Sequence, residues 1–89
     1  MPFEYDPKKS IGNKAKHGID FEEIQALWDD PERTEIPAKT VDEPRTLVIG
    51  KISGKVWSCI VTPRQDNIRI ISARRARVEE VSIYENQST

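Results

Sequence analysis

The 89 residues carry 14 Lys and Arg against 15 Asp and Glu, with 36% hydrophobic content, the profile of one small soluble domain spanning residues 1–89; a chain this short buries only about 60–65% of its unfolded surface. No window approaches the roughly 18 apolar residues of a membrane span, and the opening Met-Pro-Phe-Glu-Tyr-Asp lacks the basic and apolar stretches of a secretory signal, so no membrane and a cytoplasmic location are expected. The single Cys59 excludes an internal disulfide and a cysteine zinc site.

Phe3-Glu4-Tyr5 alternates and predicts an edge strand. Asp6 then caps a helix over residues 7–17, with Pro7 at its first position and Gly18 as its terminator. Its apolar face is thin, Ile11 and Ala15 at i, i+4, and Gly12 weakens it by about 1 kcal/mol. Its polar side is basic: Lys8, Lys9, Lys14, Lys16. A second helix opens at Asp20, with Glu23 at capping-box spacing and Ile19 and Ile24 as a hydrophobic staple. Phe21, Ile24, Leu27 and Trp28 form its apolar face, and Asp29-Asp30-Pro31 stops it. Residues 33–37 predict an edge strand, 38–44 a loop, and 45–52 a strand joined by Ser53-Gly54 to another over 55–62. That strand is apolar on both faces (Val56, Trp57, Cys59, Ile60, Val61) and therefore central. Residues 63–66 turn into a strand over 67–73. Val78, Val81 and Tyr84, at i, i+3, i+6, predict a last helix, followed by a frayed tail over 85–89. Strands segregated from helices imply an α+β fold: two N-terminal helices packed on a twisted antiparallel sheet of about four strands, then a C-terminal helix.

The charge is unevenly spread. Residues 19–44 hold nine acids against Arg33 and Lys39, whereas residues 45–77 hold eight Lys and Arg against Asp66 alone. Such asymmetry points to a polyanion or a charged partner, although a solvated surface with both signs interspersed is the commoner state of a small protein. There is no H-x-x-x-H or C-x-x-C, so no metal and no cofactor are expected. Glu22/Glu23 and Asp29/Asp30 have structural roles at helix ends, and no Gly-rich phosphate loop occurs. What remains is a basic set near strand ends or a helix terminus: Lys16, His17, Arg45, Arg64, Arg69, Arg74, Arg75 and Arg77. Guanidiniums offer five donors in a fork that fits phosphate. An imidazole after a helix is more often a cap or surface residue, but beside several cations it can act as general acid or base. RNA cleavage needs only these parts: a base for the 2′-OH, cations for the phosphorane, and an acid for the 5′-oxygen. Tyr84 falls on a core spacing, and its hydroxyl could also serve a site. Three readings stay open: an RNA-cutting enzyme, a binding module, and a protein whose arginines are only solvated.

Phe3-Glu4-Tyr5-Asp6-Pro7-Lys8, Asn13-x-x-Lys16-His17-Gly18-Ile19-x-Phe21-Glu22-Glu23, Ile49-Gly50 and Arg69-Ile70-Ile71-Ser72-Ala73-Arg74-Arg75-Ala76 together resemble the BrnT-type toxins of bacterial type II toxin–antitoxin pairs, nearly from end to end. The resemblance implies a RelE-like α+β fold and a metal-independent ribonuclease that inhibits translation. It also implies a cognate BrnA-like ribbon-helix-helix antitoxin, a toxin–antitoxin heterotetramer, and contact with operator DNA only through that antitoxin. It assigns His17, Arg64, Arg74 and Arg75 to catalysis and Lys16 and Arg69 to RNA binding. Arg45, Arg77 and Tyr84 join the RNA-binding set by position. Arg77 occupies the N-cap slot of the last helix, where Ser, Thr or Asn is usual, forgoing a side-chain cap of about 1 kcal/mol. The non-catalytic alternative is an operon co-repressor acting with the antitoxin.

Overall fold

The segment that is apolar on both faces forms the middle of the sheet, as its composition requires. In a computed structural model of the chain, which describes residues 2–38 and 42–86, the elements are β1 (Phe3–Glu4), α1 (Pro7–His17), a 3₁₀ helix (Glu23–Asp29), β2 (Thr34–Ala38), β3 (Arg45–Ile52), β4 (Lys55–Arg64), β5 (Asn67–Arg75) and α2 (Val78–Asn86). The sheet order is β1-β5-β4-β3-β2. This corrects the expected antiparallel sheet of about four strands: among the described residues it has five and is mixed, because the short β1 pairs parallel with β5, Phe3 against Ile68 and Glu4 against Arg69. The other pairings are antiparallel. Residues 39–41 of the expected loop and 87–89 of the expected tail lie outside the described residues; Glu85 and Asn86 belong to α2.

Local signals locate most boundaries. Asp6 accepts the Lys8 amide at 2.9 Å, and Gly18 takes φ 81° at the end of α1. Ser53 and Gly54, at φ 50° and 81°, make the two-residue turn whose twist suits adjoining strands. The following turn is shorter than expected: Pro63 and Arg64 continue β4, and Gln65 (φ 54°) and Asp66 turn the chain.

The second helical segment is 3₁₀, not α. Asp20 and Glu23 do exchange the expected capping bonds, Glu23 N–H to Asp20 Oδ1 at 2.7 Å and Asp20 N–H to Glu23 Oε1 at 3.0 Å. A 3₁₀ helix, however, has three residues per turn. Ile24 and Leu27, spaced by three, then lie on one line, and they and Phe21 just before the helix are each no more than 1% exposed. Trp28 falls off that line and packs edge-on against Phe3, centroids 4.8 Å apart. Close approach of this segment to the sheet requires Gly50: a Cβ there would meet Leu27 Cδ2 at 3.0 Å and Asp30 Oδ2 at 3.4 Å. Leu27 is fully buried and has nowhere to retreat. Gly50→Ala is therefore expected to cost about 1–3 kcal/mol through overpacking; an unchanged midpoint in urea denaturation would contradict this.

Both terminal helices face differently from expectation. In α1 the buried residues are Ser10 and Asn13, while Ile11 is 72% exposed and Ala15 is exposed. Hydrogen bonding decides this. Ser10 Oγ accepts the Phe21 amide at 2.9 Å. Asn13 donates to the carbonyls of Ile19 (2.7 Å) and Ala73 (2.9 Å) and accepts the Ala73 amide at 3.3 Å. Turning Ile11 inward would leave these buried backbone groups unpaired, which costs more than one exposed isoleucine. In α2 the inner pair is Glu80 and Tyr84; Val78 is 82% exposed.

Candidate functional site

The placement of the arginines depends on one irregularity in β5. Val48, Cys59 and Ala73 are cross-strand partners in the core, so they mark the face that carries α1 and the 3₁₀ helix. Simple alternation from Ile68 and Ile70 would put Ser72 and Arg74 on that face. The register shifts between Ile60 and Val61, which pair with Ser72 and Ile70, leaving Ile71 as the extra residue of a bulge. Beyond it the phase is reversed. Ala73 and Arg75 join the helical face, and Arg74, opposite Ser58, points to the other side.

Arg74 meets Glu80 there. Its guanidinium is bidentate on the carboxylate, both bonds 2.8 Å, and Glu80 Oε1 also accepts from Ser58 Oγ (2.8 Å) and the Arg77 amide (2.9 Å). The last bond is the reciprocal half of a capping box, so the missing side-chain cap at Arg77 is offset from the N3 position. The Arg74 guanidinium, helped by Arg77 and Ser58, prevails over burial and holds the Glu80 carboxyl down at about 2. Tyr84 is also structural in placement. It is 8% exposed and donates to Asp30 Oδ2 at 2.6 Å, and burial followed by that carboxylate pushes its hydroxyl up to about 12. Asp30 also accepts the amides of Lys51 (2.8 Å) and Glu32 (2.8 Å).

The remaining cations divide between the two ends of the sheet. At the end away from the Ser53-Gly54 hairpin, Arg69 is paired with Glu4 at 3.0 Å, and Glu43 lies 3.7 Å from Arg45 and 3.6 Å from Arg64. At the hairpin end lie Arg75, Arg77, Lys16 and His17. The Arg75 guanidinium sits over the Trp57 ring, 5.4 Å from its centroid, and among the described residues it meets no carboxylate. Stacking uses the flat face of a guanidinium and leaves its N–H edge open. α1 starts just after Glu4, the partner of Arg69, and reaches Ala73 through Asn13, so it runs alongside β5 in the same direction. His17 follows Ser10 and Asn13 at i+7 and i+4. It is half-buried and therefore on the sheet-facing side of the last turn. The next residue, Gly18, lines a cleft of about 340 Å³ with Ile52, Lys55 and Trp57. Arg75 and the residue after His17 thus approach Trp57 from two elements.

The structure therefore brings Lys16, His17, Arg75 and Arg77 to one end. It ties Arg74 to Glu80 close by, buries Tyr84 beneath α2, and leaves Arg45, Arg64 and Arg69 at the other end. Seven residues of β4 separate Trp57 from Arg64, about 23 Å at 3.3 Å per residue; Arg64 and Arg75 cannot reach one phosphate. The sequence reading missed Glu80, Asn13 and Trp57. Glu80 was legible as the carboxylate three residues after the N-cap slot. The other two depend on long-range packing. Among the described residues no three His, Cys, Asp or Glu converge as a metal-ligand set, and no helix is long and apolar enough to cross a membrane.

Comparison with curated proteins finds no match. Comparison with protein families does: residues 5–80 match the ribonuclease toxin BrnT of type II toxin–antitoxin systems. That span includes β1's neighbour Tyr5, the whole of α1, strands β2 to β5 and the start of α2 through Glu80. The chain belongs to the BrnT family of type II toxin–antitoxin ribonuclease toxins.

Proposed function

We propose that the chain is a metal-independent endoribonuclease that cuts RNA at the hairpin end of its sheet and is neutralised by a ribbon-helix-helix antitoxin. The observation that carries this is Arg75: exposed, stacked on Trp57, and facing no carboxylate among the described residues. His17 serves as the proton-transfer group. The 2′-oxygen attacks the adjacent phosphorus as its proton leaves, a 2′,3′-cyclic phosphate forms, and the departing 5′-oxygen takes a proton. Arg75 neutralises the phosphorane, while Lys16 and Arg77 hold flanking phosphates. Arg45, Arg64 and Arg69 follow the RNA strand towards the far end, and Arg74 reaches the reaction only through the backbone that it shares with Arg75. The antitoxin joins the toxin in a heterotetramer and carries the contact with operator DNA. The family's toxin–antitoxin membership supports the partner.

The test incubates the purified chain with a mixed RNA pool in EDTA, with and without the antitoxin encoded beside it. Fragments ending in cyclic phosphate, lost on adding antitoxin, are expected; intact RNA at saturating protein would sink the enzyme reading. One observation favours a binding-only alternative: Arg45, Arg64, Arg69 and Arg74 all lie against carboxylates of their own chain. That alternative predicts intact RNA and tighter operator binding by the antitoxin in the presence of this chain.

A further inference from the structure

α1 turns Ser10 and Asn13 to the sheet and its apolar residues to solvent. Opposite Ser10 and Asn13 lie Lys8, Ile11, Gly12 and Ala15, at i, i+3, i+4 and i+7. This is the spacing at which one helix receives another. Ile11 is 72% exposed, the other three are exposed, and a Cβ added to Gly12 would meet nothing within 4 Å. Packing within the chain therefore explains neither the isoleucine nor the glycine. Beside the ridge runs a cleft of about 370 Å³ lined by Ser10, Ile11, Lys14, Ala15 and Asp20. The ridge is bordered by cations: Lys8 and Lys16 are exposed and make no ion pair among the described residues, while Lys14 is held by Glu23 at 2.8 Å.

We propose that this outer face of α1 is the docking ridge for an amphipathic helix of the antitoxin, with an apolar stripe that covers Ile11 and Ala15 and Asp or Glu residues that border it and pair with Lys8 and Lys16. The inference rests on the toxin–antitoxin reading above, which supplies the partner; the ridge supplies its chemistry. A second copy of this chain fits less well. Among the described residues its other large exposed apolar side chains, Val78 and Ile83, stand five apart on α2, about 140° around the helix, and form no stripe to meet the ridge. Docking here also has a consequence for the site. α1 ends at Lys16 and His17, so a helix laid along it finishes beside the basic end of the sheet.

The test titrates the antitoxin encoded beside this chain into the full-length protein and its variants. Ile11→Glu is expected to weaken binding at least tenfold, with the melting temperature and RNA cleavage of the free toxin unchanged. Lys8→Glu is expected to weaken binding about threefold or more and to flatten its salt dependence. A thiol placed by Ile11→Cys is expected to react with maleimide in the free protein and to be shielded in the complex. Cys59 stays silent, being fully buried with its thiol pushed up to about 12. Unchanged affinity of Ile11→Glu, equal labelling in the complex, or no complex at all would overturn the proposal. So would loss of a homodimer in Ile11→Glu with antitoxin affinity intact, which would mark the ridge as a self-association face. Ile11-dependent antitoxin binding by a chain that leaves RNA whole would support the ridge and reject the ribonuclease reading.

Discussion

Arg75→Ala is expected to lower the rate of RNA cleavage by about 10²–10³-fold, the usual effect of removing one donor from a developing oxyanion. The fold should barely notice. Arg75 is exposed, and its guanidinium rests on the face of Trp57 with no ion pair among the described residues, an interaction of about 0.5–1 kcal/mol at an exposed site. Arg64→Ala provides the contrast. It lies at the far end of β4, 3.6 Å from Glu43, with its side chain half exposed. Removing it is expected to raise KM a few-fold, steeply so at higher salt, and to leave kcat near its starting value. Single-turnover cleavage of a short labelled RNA separates the two parameters. Equal kcat losses in both variants would mean that the two ends act together, which the sheet's length forbids for one phosphate, and would overturn the assignment of the site to the hairpin end.

The largest effect on stability is expected at Glu80. Its carboxylate joins β5, β4 and α2 through Arg74, Ser58 and the Arg77 amide, and it is only 9% exposed. Glu80→Gln removes the charge that compensates a three-quarters-buried guanidinium, and breaking one side of such a pair costs about 3 kcal/mol or more. The pH dependence gives an independent check. The Glu80 carboxyl lies at about 2 in the folded chain against an ordinary 4.5, a difference equivalent to about 3 kcal/mol at 1.36 kcal/mol per pH unit. Because the folded-state value is depressed, this stabilisation is fully present above pH 4.5 and is lost as the pH falls through 4.5 towards 2. Urea midpoints of wild type and Glu80→Gln should therefore differ most near neutral pH and converge in acid. A gap that is small and constant with pH would contradict the role given to Glu80.

Much of this protein was legible in short-range interactions. Asp6, Gly18, Asp20 with Glu23, and Ser53-Gly54 each act within a few residues, so the helix ends and the hairpin could be located without a fold. β4 announced its central place because only a strand covered on both sides tolerates apolar residues at successive positions. The combined motifs, from Phe3 through the Ile-Ile-Ser-Ala-Arg-Arg-Ala run, sufficed for the family. The 3₁₀ geometry was also written there, in the spacing of Ile24 and Leu27 by three, but an α-helical period absorbs the same residues once Trp28 is added.

Other features depend on partners distant in sequence. Asn13 turns α1 over because the unmet backbone groups it serves belong to Ala73, sixty residues away. β1 becomes a fifth, parallel strand because β5 offers it a free edge. Above all, the bulge at Ile71 is a property of the β4–β5 pairing, not of either strand. By shifting the phase one residue, it sends Arg74 to Glu80 and Arg75 to Trp57. The sequence alone determined that this chain would carry a run of arginines from the end of one strand to the start of the last helix. Only the tertiary structure decided which arginine is tied down and which stays free, because that choice rests on the register between two strands, set by the core they bury together.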